Sequence, residues 1–81
     1  MKLEILTPEK MLFNGEVDSV TLPGASGAFT VLPNHAPLIS SLQQNGMVIY
    51  VCGAHRQTLT IGGGFVEVRD NRITVCADHQ P

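Results

Sequence analysis

Residues 21–37 read TLPGASGAFTVLPNHAP, a stretch that sets three prolines, two glycines and a histidine around the short apolar run Phe29 to Leu32. Pro23 presets φ for a turn, Gly24 supplies the positive φ that such turns use, and Gly27 repeats the permission three residues later. The run is therefore expected as one brief strand held between two tight turns. Pro33 and Pro37 frame Asn34, His35 and Ala36. They remove two amide donors and push Leu32 and Ala36 toward extended backbone. His35 is thus expected on a rigid, exposed corner, where it either orders its own loop by hydrogen bonding or meets a partner.

Upstream of this stretch, Lys2 to Thr7 alternates, with Leu3 and Ile5 on one face, and Pro8 ends the strand. Met11 to Phe13 follows, Asn14-Gly15 reads as a bend, and Glu16 to Leu22 as a strand with a bulge near Asp18, because Val17 falls out of phase with Val20 and Leu22. Downstream, Leu38 to Leu42 is a short strand and Gln43 to Gly46 a polar turn. Met47 to Val51 is a continuous apolar run, expected to be buried on both faces. Gly53-Ala54 turns the chain into Thr58 to Ile61, the glycines 62 to 64 bend it again, and Phe65 to Val68 pairs with Ile73 to Ala77 across Asp70-Asn71, a two-residue hairpin signal. No segment has a helical period long enough to count. The fold class is all-β, a single domain over residues 1–81 built as a small β-sandwich or flattened barrel of about 8 to 10 short strands.

Composition narrows the function classes. A chain of 81 residues buries only about 60 to 65% of its unfolded surface, so its own core is small. Five Lys plus Arg against seven Asp plus Glu give a net charge of −2, and with one Tyr and no Trp there is neither the basic patch nor the stacking platform of a nucleic-acid binder. A hydrophobic share of 43% leaves apolar surface for a partner to cover. No run of about 20 apolar residues is present and the first ten residues lack a signal-peptide pattern. Cys52 and Cys76 lie 24 residues apart with no CxxC spacing, and are expected as buried or half-buried reduced thiols.

Motifs that suggest chemistry do not carry it. His35, Asp18, Ser19 and Cys76 supply triad residue types, but no nucleophile elbow surrounds any of them. His55 and His79 are too scattered to join His35 in a metal site. Gly62-Gly63-Gly64 lacks the Lys-Ser or Lys-Thr pair and the following helix of a phosphate loop, and reads as a bulge or corner where backbones approach closely. Gly24-Ala25-Ser26-Gly27 spells the GxxG of a KH loop without the flanking helices, leaving a turn or a protein-contact loop. No catalytic, cofactor-binding or metal-ligating residue is assigned.

The blocks PGASGAFTVLPNHAP, GGGFVEV at 62–68 and ITVCAD at 73–78, preceded by MKLEILTPEKMLFNGEV, resemble in order and spacing the epsilon subunit of F-type ATP synthases. The likeness covers nearly the whole chain. Ala28 departs from the acidic residue that some members carry there. The resemblance implies a non-catalytic rotor subunit of the central stalk, on the cytoplasmic face of the bacterial inner membrane, without cofactor and without direct insertion into the membrane. Its partners would be the gamma subunit, the membrane c-ring and, through gamma, the alpha and beta subunits. It places Gly24, Ala25, Ser26, Gly27, Ala28, Asn34 and His35 toward the c-ring, and Thr7, Leu42 and Met47 toward gamma. Longer members carry two C-terminal helices that restrain hydrolysis, for which the four residues after Ala77 leave no room. A short form without helix-mediated inhibition or ATP binding is therefore expected. The competing class is a free-standing β-sandwich carrier or ligand-binding module, such as a lipoyl-type domain. That class needs a lysine at a hairpin tip, and Lys2 and Lys10 are the only lysines.

Overall fold

A computed structural model describes residues 1–78; the expectations made for His79, Gln80 and Pro81 lie outside the described residues. Seven strands follow one another: β1 (Lys2–Leu6), β2 (Met11–Glu16), β3 (Ser19–Gly24), β4 (Gly27–Val31), β5 (Leu38–Cys52), β6 (His55–Arg69) and β7 (Arg72–Ala77). They form one sheet in the order β2-β1-β7-β6-β5-β3-β4. Every neighbouring pair is antiparallel except β1 and β7, which run parallel with Leu3 beside Ile73 and Ile5 beside Val75.

Local chemistry accounts for most of the turns. Pro8 stops β1, and the reversal is closed by the Thr7 amide donating to the Lys10 carbonyl at 2.9 Å. Asp70 and Asn71 both take positive φ, 52° and 60°, the geometry that a tight two-residue hairpin uses to match strand twist. Ala25-Ser26 forms the tip between β3 and β4, with Gly24 opposite Gly27. The expected bend at Asn14-Gly15 is absent: both residues lie inside β2, paired with Glu4 and Leu3. The chain turns instead at Val17-Asp18. There the Val17 amide donates to the Met1 carbonyl and the next amide, of Asp18, to the Val51 carbonyl at 2.7 Å, so two successive residues step from one part of the sheet to another. The Asp18 carboxylate then accepts from the Gly53 amide at 2.7 Å and holds the β5–β6 turn.

The strands are fewer and longer than expected because β5 and β6 each run through what reads as punctuation. Gln43 to Gly46 is a bulge, with the register shifting between Gln44 and Gly46 and Asn45 at φ 57°. Opposite it, the three glycines stay within β6, and burial changes phase there, falling on Ile61 and Gly63 and then on Val66 and Val68. Leu38–Leu42 pairs with the second half of β6, and Gly46–Cys52 pairs with the first half. The long ribbon is bent in its middle, and the sheet folds over itself into a sandwich.

One core fills the fold. Leu3, Ile5, Val66, Ile73 and Val75 come from one half, and Val20, Leu22, Val31, Val48 and Ile61 from the other; all ten are 0–1% exposed. Rings of Phe13 on β2 and Tyr50 on β5 meet at 4.5 Å and close the sandwich at its side. Met47 to Val51 is not buried on both faces, since only Val48 is fully enclosed and Met47 is 49% exposed. Apolar content overstated burial there because the strand has a solvent side.

Gly64 marks the tightest approach. At φ 130°, an added Cβ would fall on the Cys76 carbonyl oxygen and 2.9 Å from the Ala77 Cα. Gly64→Ala is expected to cost about 3 kcal/mol or more in urea unfolding. Gly53→Ala, at φ 60° with open space around it, should cost about 1 to 2 kcal/mol. Burial also pushes the phenol of Tyr50, the chain's one tyrosine, above its ordinary pKa. A raised folded pKa means this stabilisation is full below about pH 10 and is lost as pH rises through the folded value. Absorbance titration should show a higher midpoint for the native protein than in denaturant, and Tyr50→Phe should remove that part of the alkaline loss of stability.

Candidate functional site

The sequence-derived contact residues fall in two groups that the fold positions differently. Gly24 is buried, while Ala25, Ser26, Gly27 and Ala28 are exposed at the β3–β4 tip. The tip is pinned to the neighbouring strand: the Ala25 amide donates to the Ser41 carbonyl at 2.9 Å, and the Gln43 side-chain amide reaches the Ala25 carbonyl at 3.5 Å. Asn34 and His35 stand in the β4–β5 connection. Asn34 takes φ 64°, and its amide donates to the Asn71 side chain at 2.9 Å, which ties the corner to the β6–β7 hairpin.

His35 is half-buried rather than fully exposed. Its amide donates to the Leu32 carbonyl at 3.2 Å and its Nδ1 lies 2.7 Å from the Ala36 carbonyl, where a protonated Nδ1 donates. The ring therefore orders its own loop, and Nε2 is left as the group available to a neighbour. Between Pro37 and Ser41 lie about 13 Å of extended chain, so corner and tip share one border of the sheet.

Two residues on that border escaped the sequence reading. Ile39, 74% exposed, lies between corner and tip, and Leu32, 58% exposed, flanks the corner. Leu38 and Ile39 are adjacent on one strand, so one of them had to face outward; that parity was the available signal. Behind Ile39 an open groove of about 320 Å³ is lined by Pro37, Leu38, Glu67 and Arg69 among others, too shallow to enclose a small molecule.

In the second group, Thr7 is half-buried in the β1–β2 turn and bonded to Lys10. Leu42 is 6% exposed and gives its side chain to the core, so it presents little surface, whereas Met47 is 49% exposed. Leu42, Gly64 and Ala77 are in register, and Thr7 follows Leu6, the partner of Cys76. Thr7 and Leu42 therefore reach the same end of the sheet, with Met47 past the bulge.

Among the described residues no three His, Cys, Asp or Glu side chains gather as a metal site. Cys52, expected to be covered, is exposed beside the Gly53 turn, and Cys76 is half-buried. No helix is long and apolar enough to cross a membrane among the described residues. The class defined by these features is a small all-β sandwich with exposed apolar side chains along one border of its sheet.

The family model for the ATP synthase delta/epsilon chain β-sandwich domain matches residues 1–80. The ATP synthase epsilon chain of Leptospira interrogans is 44% identical over 79 residues, 98% of this chain and 61% of that protein. That of Dehalococcoides mccartyi is 42% identical over 78 residues, 96% of this chain and 55% of the relative. The chain belongs to the ATP synthase delta/epsilon chain family, and spans about three fifths of the length of the curated relatives it matches. Solved structures share the fold: a chain of the central stalk and c-ring of Tetrahymena thermophila mitochondrial ATP synthase superimposes with TM-score 0.81 at 15% identity, over 95% of this chain and 62% of that one. A chain of the Euglena gracilis mitochondrial enzyme gives 0.84 at 22% identity, over 93% and 48%.

Asn71 has two separable roles, a positive-φ hairpin residue and an acceptor for the Asn34 amide. Asn71→Gly keeps the first and removes the second. It should speed hydrogen exchange at the Asn34 amide roughly fivefold to tenfold, at a stability cost of about 1 kcal/mol. Unchanged exchange would show that the corner is held by its prolines alone.

Proposed function

We propose that the domain works as a non-catalytic rotor element of a proton-translocating F-type ATP synthase, joining gamma to the c-ring so that rotation driven by the proton gradient reaches the catalytic head. The observation that carries this reading is the family match over residues 1–80, with relatives named ATP synthase epsilon chain at 44% identity. The geometry agrees with it. Torque transmission asks for a stiff body with a contact surface, and a single bent sheet around one core provides the stiffness. On this reading the border of Ala25 to Ala28, Asn34 and His35 meets the ring, with Leu32 and Ile39 as its apolar members. Thr7 and Met47 lie toward gamma, and the alpha and beta subunits are reached only through gamma. The domain then sits peripherally on the cytoplasmic face of a bacterial inner membrane.

Ala28→Arg and His35→Glu both alter exposed or half-exposed loop positions, where substitutions usually change stability by within about 0.5 kcal/mol. Each is expected to weaken coupling between proton flow and ATP synthesis in reconstituted enzyme while the variant domain melts normally. Normal ring binding and normal ATP-driven proton pumping in both variants would remove this border from the ring contact. Membrane pull-down of the tagged chain should recover gamma and the c subunit together.

A further inference from the structure

The outer face of the half-sheet β6-β7-β1 carries a cationic strip that the ring-contact reading does not use. Arg69 lies directly opposite Arg72 in the antiparallel β6–β7 pair, and Arg72 lies beside Lys2 in the parallel β7–β1 pair. Three of the chain's five Lys and Arg residues thus stand in one row across three adjacent strands of a protein whose net charge is −2. Cross-strand partners are about 5 Å apart, and like charges so placed oppose folding. Their neighbours do not neutralise them. Glu16, the next residue in the row, holds the Met1 amine at 3.2 Å, and Asp70 reaches Arg69 only at 3.9 Å with both side chains largely in solvent. Among the described residues Lys2 and Arg72 enter no ion pair. The strip is also continuous with the corner: Arg69 and Pro37 line the same groove, and the Asn71 side chain between Arg69 and Arg72 holds the Asn34 amide.

We propose that Lys2, Arg72 and Arg69 receive carboxylate side chains from a polar loop of the membrane ring, extending the ring contact from Asn34 and His35 along this end of the sheet. The proposal rests on the reading that the corner meets the ring, and adds the chemistry of what it meets. A carboxylate loop fits better than an anionic bilayer. The next row of the same face holds Glu67 and Glu4, on either side of Thr74, which a broad negative surface would repel and a narrow loop need not touch.

The test measures binding of the full chain, alone and assembled with gamma, to detergent-purified c-rings at about 50 and 200 mM salt, a range over which exposed charge contacts are increasingly screened. The double variant Arg69→Gln/Arg72→Gln is expected to bind at least tenfold more weakly, with a flatter salt dependence, and to melt at the same or a higher temperature because a repulsion is gone. Lys2→Gln should give a smaller loss in the same direction. Arg56→Gln, at the far end of β6, should bind as wild type does. If the double variant keeps full affinity and salt dependence while His35→Glu weakens binding, the strip is no contact and the ring reading stands. If the wild-type chain binds no ring in either form, both fail. Charge-dependent binding to vesicles of anionic phospholipid, lost in the double variant while ring binding is unchanged, would assign the strip to the membrane and overturn the proposal.

Discussion

The close approach of Gly64 to the Cys76 carbonyl is the constraint on which the sandwich depends. A ribbon of two strands, 15 residues each, would extend roughly 50 Å if straight, yet the molecule measures 27 Å along its longest axis. The ribbon must bend, and it does so where β5 carries the Asn45 bulge and β6 carries adjacent positive-φ residues at 63 and 64. Only a residue without a side chain lets the bent backbone lie so close to β7. Everything that follows is geometry. The bend turns the face of Val66 and Val68 toward that of Val48 and Ile61, and the two half-sheets enclose a core without any helix among the described residues.

That bend also explains what was legible in the sequence and what was not. β1 was legible because Leu3 and Ile5 alternate cleanly and Pro8 ends the pattern. The last hairpin was legible because Asp and Asn tolerate the left-handed backbone that it needs. Gln43 to Gly46 misled because a bulge and a turn ask for the same local chemistry, here Asn45 at φ 57°. Only the pairing of Gln44 with Gly62 and of Gly46 with Ile61, fifteen or more residues away, distinguishes them. Resemblance to the epsilon family was carried by ordered blocks of sequence and did not require the bend to be understood.

The border that carries the candidate contact residues was half legible. Prolines 33 and 37 announced a rigid corner, and His35 lies in it, but the ring turns inward to the Ala36 carbonyl more than an exposed histidine would. Leu42, expected to face a partner, is 6% exposed and packs in the core, whereas Ile39, read only as part of a short strand, is the most exposed large apolar side chain among the described residues. Both positions have one explanation. On an edge segment of a bent sheet, inside and outside are decided by a strand's neighbours, and residue type alone does not report them.

The parallel contact between β1 and β7 has a consequence for how the domain comes into being. It joins β1 to β7, Leu3 to Ile73, so β1 has antiparallel β2 for company during synthesis but no second neighbour until β7 is made. Leu3 and Ile5 stay uncovered until residues 72–77 have left the ribosome, and the sheet closes only after a slow kind of contact, one between residues as far apart in sequence as Leu3 and Ile73, has formed. Strands β3 to β6 can pair with one another before then, but β1 and β2 join them only through β7. A chain cut before residue 72 therefore lacks the strand that covers Leu3 and Ile5, and strand order alone makes completion of this core a late event.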